Sequence, residues 1–175
     1  MPDQQIVTRW HPLADIPETP CADFVLESLQ AGQLSLGLRY SQIAGNTDRD
    51  LTITFSDVLA LRIHWDGDAP VVGRLVDPPH CANDEFSRCV WPLLIVKNSR
   101  WLASGDFDTS VAIAAGMNKE PWQQFTVAAL ERSIDIIARG EVFAKWVSSK
   151  SYSISVLIRP SLRGAERRSN PELRV

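Results

Sequence analysis

The chain has 175 residues, of which 45% are apolar and 22% are charged, and its net charge is −3. A chain of this size and composition buries roughly 70% of its unfolded surface in one core, so we expect it to fold without a disulfide or a metal. Its longest apolar runs are far shorter than the about twenty residues of a membrane-spanning helix, and we expect no secretory signal at the N-terminus.

The number of cysteines indicates the redox compartment, and the distribution of charge indicates the class of binding partner. The three cysteines, Cys21, Cys81 and Cys89, are an odd and sparse set, which predicts a reducing, cytoplasmic compartment. Between Asp48 and Glu85 the chain carries eight acids and three arginines. Such an acidic region argues against nucleic acid, which needs clustered Lys and Arg, and favours a protein partner with a basic surface. The alternative is that these acids only keep the domain soluble.

The first elements in chain order are an arm and a hairpin. Four prolines in residues 1–23 predict an extended N-terminal arm. Phe24 to Gln30 fits either a strand or a single helical turn. Leu34 to Tyr40 and Leu51 to Phe55 both alternate apolar and polar residues around a polar turn, which predicts an antiparallel hairpin.

The middle of the chain predicts two further strands and a helix. Val58 to Trp65 alternates and follows a kink predicted near Ser56-Asp57. Trp91 to Val96 is nearly continuous in apolar residues, which indicates a central strand buried on both faces. Asn98-Ser99 then caps a short helix from Arg100 to Ala103, which Gly105 ends.

The last third has two interpretations. Gln123 to Ala129 and Ser133 to Ala138 are strand-like, and the competing interpretation is one helix from Trp122 to Ala138. Their β-branched residues and the following Arg139-Gly140 turn favour strands. Two further strands are predicted, over Val142 to Val147 and over Tyr152 to Ile158.

Together the elements predict an α+β fold, mainly antiparallel β (a single sheet or a sandwich), with one or two short helices. The globular domain is predicted over residues 24–158, preceded by the arm of residues 1–23. Residues 159–175, with five arginines and two glutamates, are predicted to form a basic C-terminal tail.

Side chains that could ligate a metal are concentrated around His80, but the spacing between them does not match a metal site. His80, Cys81, Asp84, Glu85 and Cys89 lie within ten residues. Zinc sites use pairs such as Cys-x2-Cys or His-x3-His, and neither the adjacent His80-Cys81 pair nor the eight-residue step to Cys89 matches them. We therefore expect no metal and no cofactor, since phosphate-binding glycine loops are also absent from the sequence.

A nucleophilic cysteine is the alternative chemistry. Cys81 would need a histidine base, for which His64 and His80 are the nearest in sequence. Six tryptophans are a further feature, because each buries a large area. Trp91 and Trp101 are predicted to be core residues. Trp10, in the proline-rich arm, and Trp146, at a strand end, are positions where exposure is an alternative, although core filling is favoured for any single tryptophan.

One segment carries a family resemblance. Trp91-Pro92 followed by Asn98-Ser99-Arg100-Trp101-Leu102 resembles a Trp-Pro and Asn-Ser-x-Trp-Leu signature of small bacterial proteins of the polymorphic-toxin immunity type. The resemblance implies a compact mixed β domain that acts by binding, and it supplies no catalytic residues.

The leading hypothesis is therefore a non-catalytic bacterial protein-binding domain, immunity-like, with no membrane or nucleic-acid partner. Its contact is predicted on the Pro79 to Arg88 loop and on five acids: Asp66, Asp68, Asp77, Asp84 and Glu85. The alternatives are a small metal- or Cys/His-dependent enzyme using the His64, His80 and Cys81 region, and a structural subunit of a larger assembly.

Overall fold

The computed structural model describes residues 4–46, 48–65, 78–104 and 122–149. Within these ranges the chain forms nine strands, one short α-helix and one turn of 3-10 helix. The elements in chain order are β1 (Ile6–Arg9), β2 (Phe24–Gln30), β3 (Gln33–Leu38), β4 (Arg49–Phe55), β5 (Val58–Trp65), the 3-10 helix Asp84–Phe86, β6 (Leu93–Lys97), α1 (Arg100–Ser104), β7 (Gln123–Ala128), β8 (Arg132–Ala138) and β9 (Val142–Ser148).

The strands form two antiparallel sheets. A five-stranded sheet has the order β1-β6-β7-β8-β5, and a four-stranded sheet has the order β2-β3-β4-β9. Every pair of neighbouring strands is antiparallel. The predicted α+β fold, dominated by antiparallel β structure with few helices, is thus confirmed. Neither helix in the described ranges has the length and apolarity that crossing a membrane requires.

Both sheets contribute to one apolar core. Alternate residues of a strand point to the same face, so the leucines and isoleucines of β3 and β4 meet the inward residues of β7 and β8. The rings of Phe55 and Phe125, from opposite sheets, lie 5.2 Å apart at their centroids. Phe125 is 6% exposed. The members of this cluster at 0% exposure are Cys21, Leu34, Leu36, Leu38, Leu51, Ile53, Phe55, Trp91, Leu93, Leu94, Val127, Ile134, Ile136 and Ala138. Burying each of the valine, leucine, isoleucine and phenylalanine side chains stabilises the fold by about 1.5–3 kcal/mol.

Besides the long connection from β1 to β2, the described chain passes between the sheets at two short crossovers that lie side by side. The first, at Ser56-Asp57, joins β4 to β5, and the second, at Arg139-Gly140, joins β8 to β9. The two are linked by backbone hydrogen bonds from Ser56 N to the Glu141 carbonyl and from Arg139 N to the Asp57 carbonyl, each 3.3 Å long. Asp57 has a φ of 46° and Gly140 one of 77°. The kink predicted at Ser56-Asp57 is therefore present, and it moves the chain from one sheet to the other.

The ambiguous segments resolve as strands. Phe24–Gln30 is β2, and the stretch from 122 to 138 contains β7 and β8 joined by a tight turn, in which Ala129 N donates to the Arg132 carbonyl over 2.9 Å. The β-branched residues of these strands pack well on a pleated surface, which agrees with the strand interpretation. The helix predicted from Arg100 is α1, and Ser99 caps it by accepting from Leu102 N over 2.9 Å. Gly105, Tyr152 to Ile158 and the tail lie outside the described residues.

Part of the N-terminal segment belongs to the sheet. Residues 6–9 form β1, which pairs with β6. Beyond it, Ile16 and Cys21 are buried in the core. An ion pair between Arg9 and Glu18, 2.9 Å long, ties the two ends of the intervening stretch together.

The tryptophans lie where core filling places them, two of them only in part. Trp91 and Trp101 are buried, as predicted. Trp10 and Trp146, for which exposure was the alternative, are half-buried. The Trp10 ring packs 5.0 Å from that of Phe125, and Trp146 packs edge-on to Tyr40 and donates its indole N–H to Asp15 over 2.7 Å. The sequence could not show that the proline-containing segment lies across the sandwich and covers these rings.

Candidate functional site

Two of the five predicted contact acids lie together on an exposed turn. Asp84 and Glu85 occupy the 3-10 helix, and both are exposed. Asn83 caps this turn by accepting from Glu85 N through its side-chain oxygen over 2.9 Å. Asp66, Asp68 and Asp77 lie outside the described residues.

The turn belongs to a loop, residues 79–91, that is fastened at its base. Trp91 N donates to the Pro79 carbonyl over 2.7 Å, and Cys81 N donates to the Cys89 carbonyl over 2.9 Å. Glu18 holds the outer side by accepting from Ala82 N over 2.8 Å. The loop leads into β6 through Pro92, whose carbonyl accepts from Ala128 N over 2.8 Å. Loop 79–91 therefore extends from the end of the five-stranded sheet at which β7 finishes.

An exposed tryptophan lies at the same end of this sheet. Trp65, the last residue of β5, is 64% exposed and is directly opposite Arg132 in the ladder. The Arg132 guanidinium lies 4.4 Å from the Phe24 ring centroid and 5.6 Å from that of Trp65, and its Nε donates to Asp23 over 2.7 Å. These contacts fix the guanidinium between two aromatic rings.

We call this surface the loop end and define it by loop 79–91, Trp65, Arg132 and the β7–β8 turn. The turn adds Leu130, which is 49% exposed, and the exposed Glu131. The described exposed charges of loop and turn are the carboxylates Asp84, Glu85 and Glu131 against the guanidinium of Arg88. Trp65 is followed in sequence by Asp66, and Pro78 is preceded by Asp77. The loop end thus combines an exposed aromatic side chain, Trp65, with a described loop and turn in which exposed carboxylates outnumber the single exposed guanidinium.

A second polar constellation lies on the outer face of the five-stranded sheet. Asp135 of β8 is 1% exposed. Its carboxylate accepts from the Thr126 hydroxyl over 2.5 Å and from Arg62 Nε over 3.2 Å, and His64 Nε2 also lies 3.2 Å from it. A buried carboxylate needs a compensating charge, and the Arg62 guanidinium supplies it to Asp135.

Helix α1 covers this cluster. The Trp101 ring lies 3.9 Å from the Arg62 guanidinium, and the Ser99 hydroxyl donates to the Gln124 side chain over 2.5 Å. Sequence analysis missed the cluster because alternation assigns Asp135 to the solvent face of β8. The available signal was the position of an acid within the β-branched run Ile134-Asp135-Ile136.

His64 and Cys81, considered together as a base and a nucleophile, lie in different surroundings. His64 is on β5 and contacts Asp135. Cys81 is buried, and its sulfur lies 3.7 Å from the Val90 carbonyl. Burial raises the pKa of the Cys81 thiol to about 11, so its thiolate form is scarce near neutral pH. Across the described ranges no group of three or more His, Cys, Asp or Glu side chains is arranged to hold a metal ion.

Comparison with known proteins yields no relative. No family model, curated protein or solved structure matches the chain.

Proposed function

We propose that this chain is a non-catalytic protein-binding domain that docks a basic partner through its loop end. The observation that carries the proposal is the exposure of Trp65 beside a fixed guanidinium. Exposing a tryptophan at 64% leaves a large apolar area in water, and Trp and Arg are the residues that most often dominate the energy of protein interfaces. Arg132 is already held by Asp23 and Phe24, so little conformational entropy is lost when a partner covers it.

Charge supports a basic partner. Asp84, Glu85 and Glu131 are exposed at the same end of the five-stranded sheet as Trp65, and Asp66, Asp68 and Asp77 lie in the sequence that joins Trp65 to Pro78. Carboxylates at the rim of an interface speed the encounter with a positively charged protein and contribute less to the final affinity. Trp65 would thus contribute most of the binding affinity, and the acids would mainly raise the association rate.

The partner class we propose is a toxin domain that this chain neutralises in the bacterial cytoplasm. Support comes from the resemblance of the Trp91–Leu102 segment to proteins of the polymorphic-toxin immunity type and from the sparse cysteines. An immunity protein acts by covering its partner, so it requires a binding surface and no catalytic residues. The different surroundings of His64 and Cys81 are compatible with that role.

The test uses the full chain and the purified product of a toxin-like gene adjacent to its own. Trp65→Ala should weaken binding by at least about tenfold, because truncating a central aromatic anchor costs roughly 2 kcal/mol or more. Phe143→Ala is the matched control, since Phe143 is 58% exposed on β9 of the other sheet. The control should bind like the unmodified chain.

The contribution of charge to binding is measured separately, as the dependence of the association rate on salt concentration. Raising NaCl should slow association steeply, and reversing Asp84 and Glu85 to Lys should slow it further at low salt. Reversing Asp66, Asp68 and Asp77 to Lys should have the same effect. Equal binding by the Trp65 and Phe143 variants, together with a salt-independent rate, would overturn the proposal.

A further inference from the structure

Two cysteines face each other across the base of loop 79–91. His80 and Val90 form an antiparallel bridge, so Cys81 and Cys89 are the next opposed pair, and Cys81 N donates to the Cys89 carbonyl over 2.9 Å. Opposed residues of a hydrogen-bonded antiparallel pair have Cα atoms about 5.5 Å apart, with their Cβ atoms on the same side. That separation is the one a disulfide prefers, about 5.5–6 Å.

The surroundings of the pair are asymmetric. Both thiols are free. Cys81 is 4% exposed within the core cluster, whereas Cys89 is partly exposed and packs against that cluster. An oxidant from solvent therefore reaches Cys89 first, and Cys81 is the thiol behind it. Cys21 is fully buried in the same cluster, where its sulfur lies 3.6 Å from the Ala128 carbonyl.

We propose that Cys81 and Cys89 form a reversible oxidation site that takes a hydroperoxide as its oxidant. The Cys89 thiolate attacks the peroxide oxygen, the O–O bond breaks, and Cys89 sulfenic acid and water form after protonation of the leaving hydroxide. The Cys81 sulfur then attacks the sulfenic sulfur and displaces hydroxide, which takes the Cys81 proton and leaves as water. In total two thiols lose two electrons and two protons, and one hydrogen peroxide becomes two waters.

The disulfide would join the two sides of loop 79–91 at its base. Residues 82–88, including the exposed acids Asp84 and Glu85, would then be held by a covalent bond as well as by the hydrogen bonds at the base. The amides of Phe86 and Cys89 donate within this loop to the carbonyls of Asn83 and Phe86, at 2.9 and 2.8 Å. Their exchange with solvent requires opening of the loop, which the cross-link opposes.

The experiment treats the purified full chain with hydrogen peroxide under native conditions. Intact-mass spectrometry should show the loss of two hydrogens, peptide mapping should join Cys81 to Cys89, and a dithiol reductant should reverse both. In the oxidised chain the amides of Phe86 and Cys89 should exchange about tenfold more slowly. This readout needs no partner and no substitution, so it stands or fails independently of the proposed function.

Cysteine variants test which two of the three thiols form the disulfide. Cys81→Ser and Cys89→Ser should each abolish the mass loss, whereas Cys21→Ser should retain it. A cross-link that maps to Cys21, or conversion of Cys89 to sulfinic acid with Cys81 still alkylatable, would overturn the assignment. So would a chain that keeps three free thiols under peroxide concentrations that oxidise a comparably exposed cysteine in a control protein.

Discussion

At the scale of single residues, the described structure contains two buried carboxylates with different neighbours. Asp50 of β4 pairs with the buried Arg39 over 2.9 Å and accepts from the Ser41 hydroxyl over 2.7 Å. Asp135 of β8 accepts from Thr126 and Arg62. A buried carboxylate is costly unless its lone pairs are occupied, so each is surrounded by donors. Both therefore have a structural explanation.

Removing the Asp135 carboxylate should be strongly destabilising. Asp135→Ala leaves the Thr126 hydroxyl without its acceptor and the partly buried Arg62 without its counter-charge, and breaking such a pair costs about 3–5 kcal/mol. Glu131→Ala, four residues earlier on the exposed turn, is the control and should change the stability by about 0.5 kcal/mol or less. Urea denaturation gives the free energy of unfolding of both variants. A loss below about 1 kcal/mol at Asp135 would contradict this account of the cluster.

At the scale of elements, the two short crossovers between the sheets lie side by side. The chain changes sheet at Ser56-Asp57 and again at Arg139-Gly140, and the two turns are hydrogen-bonded side by side. Each turn places one residue in the left-handed region of backbone conformation, Asp57 in the first and Gly140 in the second. That conformation reverses the chain direction tightly enough for β5 and β9 to start at once in their new sheets.

Gly140→Ala should cost about 1–2 kcal/mol, because an L-residue at a φ of 77° brings its Cβ close to the backbone carbonyl. The space is adequate, since an added Cβ would meet Asp57 and Ser56 at 3.8 Å, so the cost comes from the backbone alone. Gly37→Ala in β3 is the contrasting change. Its φ is not positive, and the nearest atom to an added Cβ is the Glu27 carboxylate oxygen, which can rotate away.

We expect the Gly37 variant to unfold at nearly the same temperature as the unmodified chain and the Gly140 variant to unfold several degrees lower. Thermal unfolding followed by circular dichroism compares the two directly. Equal transition temperatures would show that the crossover tolerates a side chain and does not depend on glycine at this position.

The sequence predicted elements better than it predicted their assembly. Alternation at Leu34, Leu36 and Leu38 indicated the face of β3 that is buried, and the kink at Ser56-Asp57 was visible as a break in that pattern. It could not predict that the outer face of β8 is covered, because burial of Asp135 depends on α1 and β5, which are distant in sequence. Nor could it predict the exposure of Trp65, since a tryptophan ending an apolar strand usually packs inward.

At the scale of the whole molecule, the two ends of the five-stranded sheet differ in role. One end carries the tight crossovers, where the connections between strands are two and three residues long. The loop end carries loop 79–91 and the β7–β8 turn beside Trp65. A rigid two-sheet body that presents loops at one end is a common arrangement for binding proteins. The acids Asp84 and Glu85 of the proposed contact and the proposed oxidation site therefore lie on one loop at this end.

The stability of the whole molecule should fall as the pH rises above about 9. Burial raises the pKa of the Cys21 thiol and of the Tyr40 phenol, and it raises the pKa of the Cys81 thiol to about 11. These groups are neutral when protonated, so above their ordinary pKa the unfolded chain releases protons that the folded chain retains. The folded state is then penalised by up to about 1.4 kcal/mol per pH unit for each group, and below pH 8 the three groups add no pH dependence.

Urea denaturation under reducing conditions at pH 8, 9, 10 and 11 measures this slope. Cys21→Ala removes one titrating group, so its free energy of unfolding should fall less steeply between pH 10 and 11, by about 1.4 kcal/mol per unit, whatever its stability at pH 8. The comparison of slopes separates the ionisation from the packing lost with the sulfur. A stability that is constant or rises across this range would mean that the thiols and the phenol reach water in the folded chain, and that the core between the two sheets is open at Cys21.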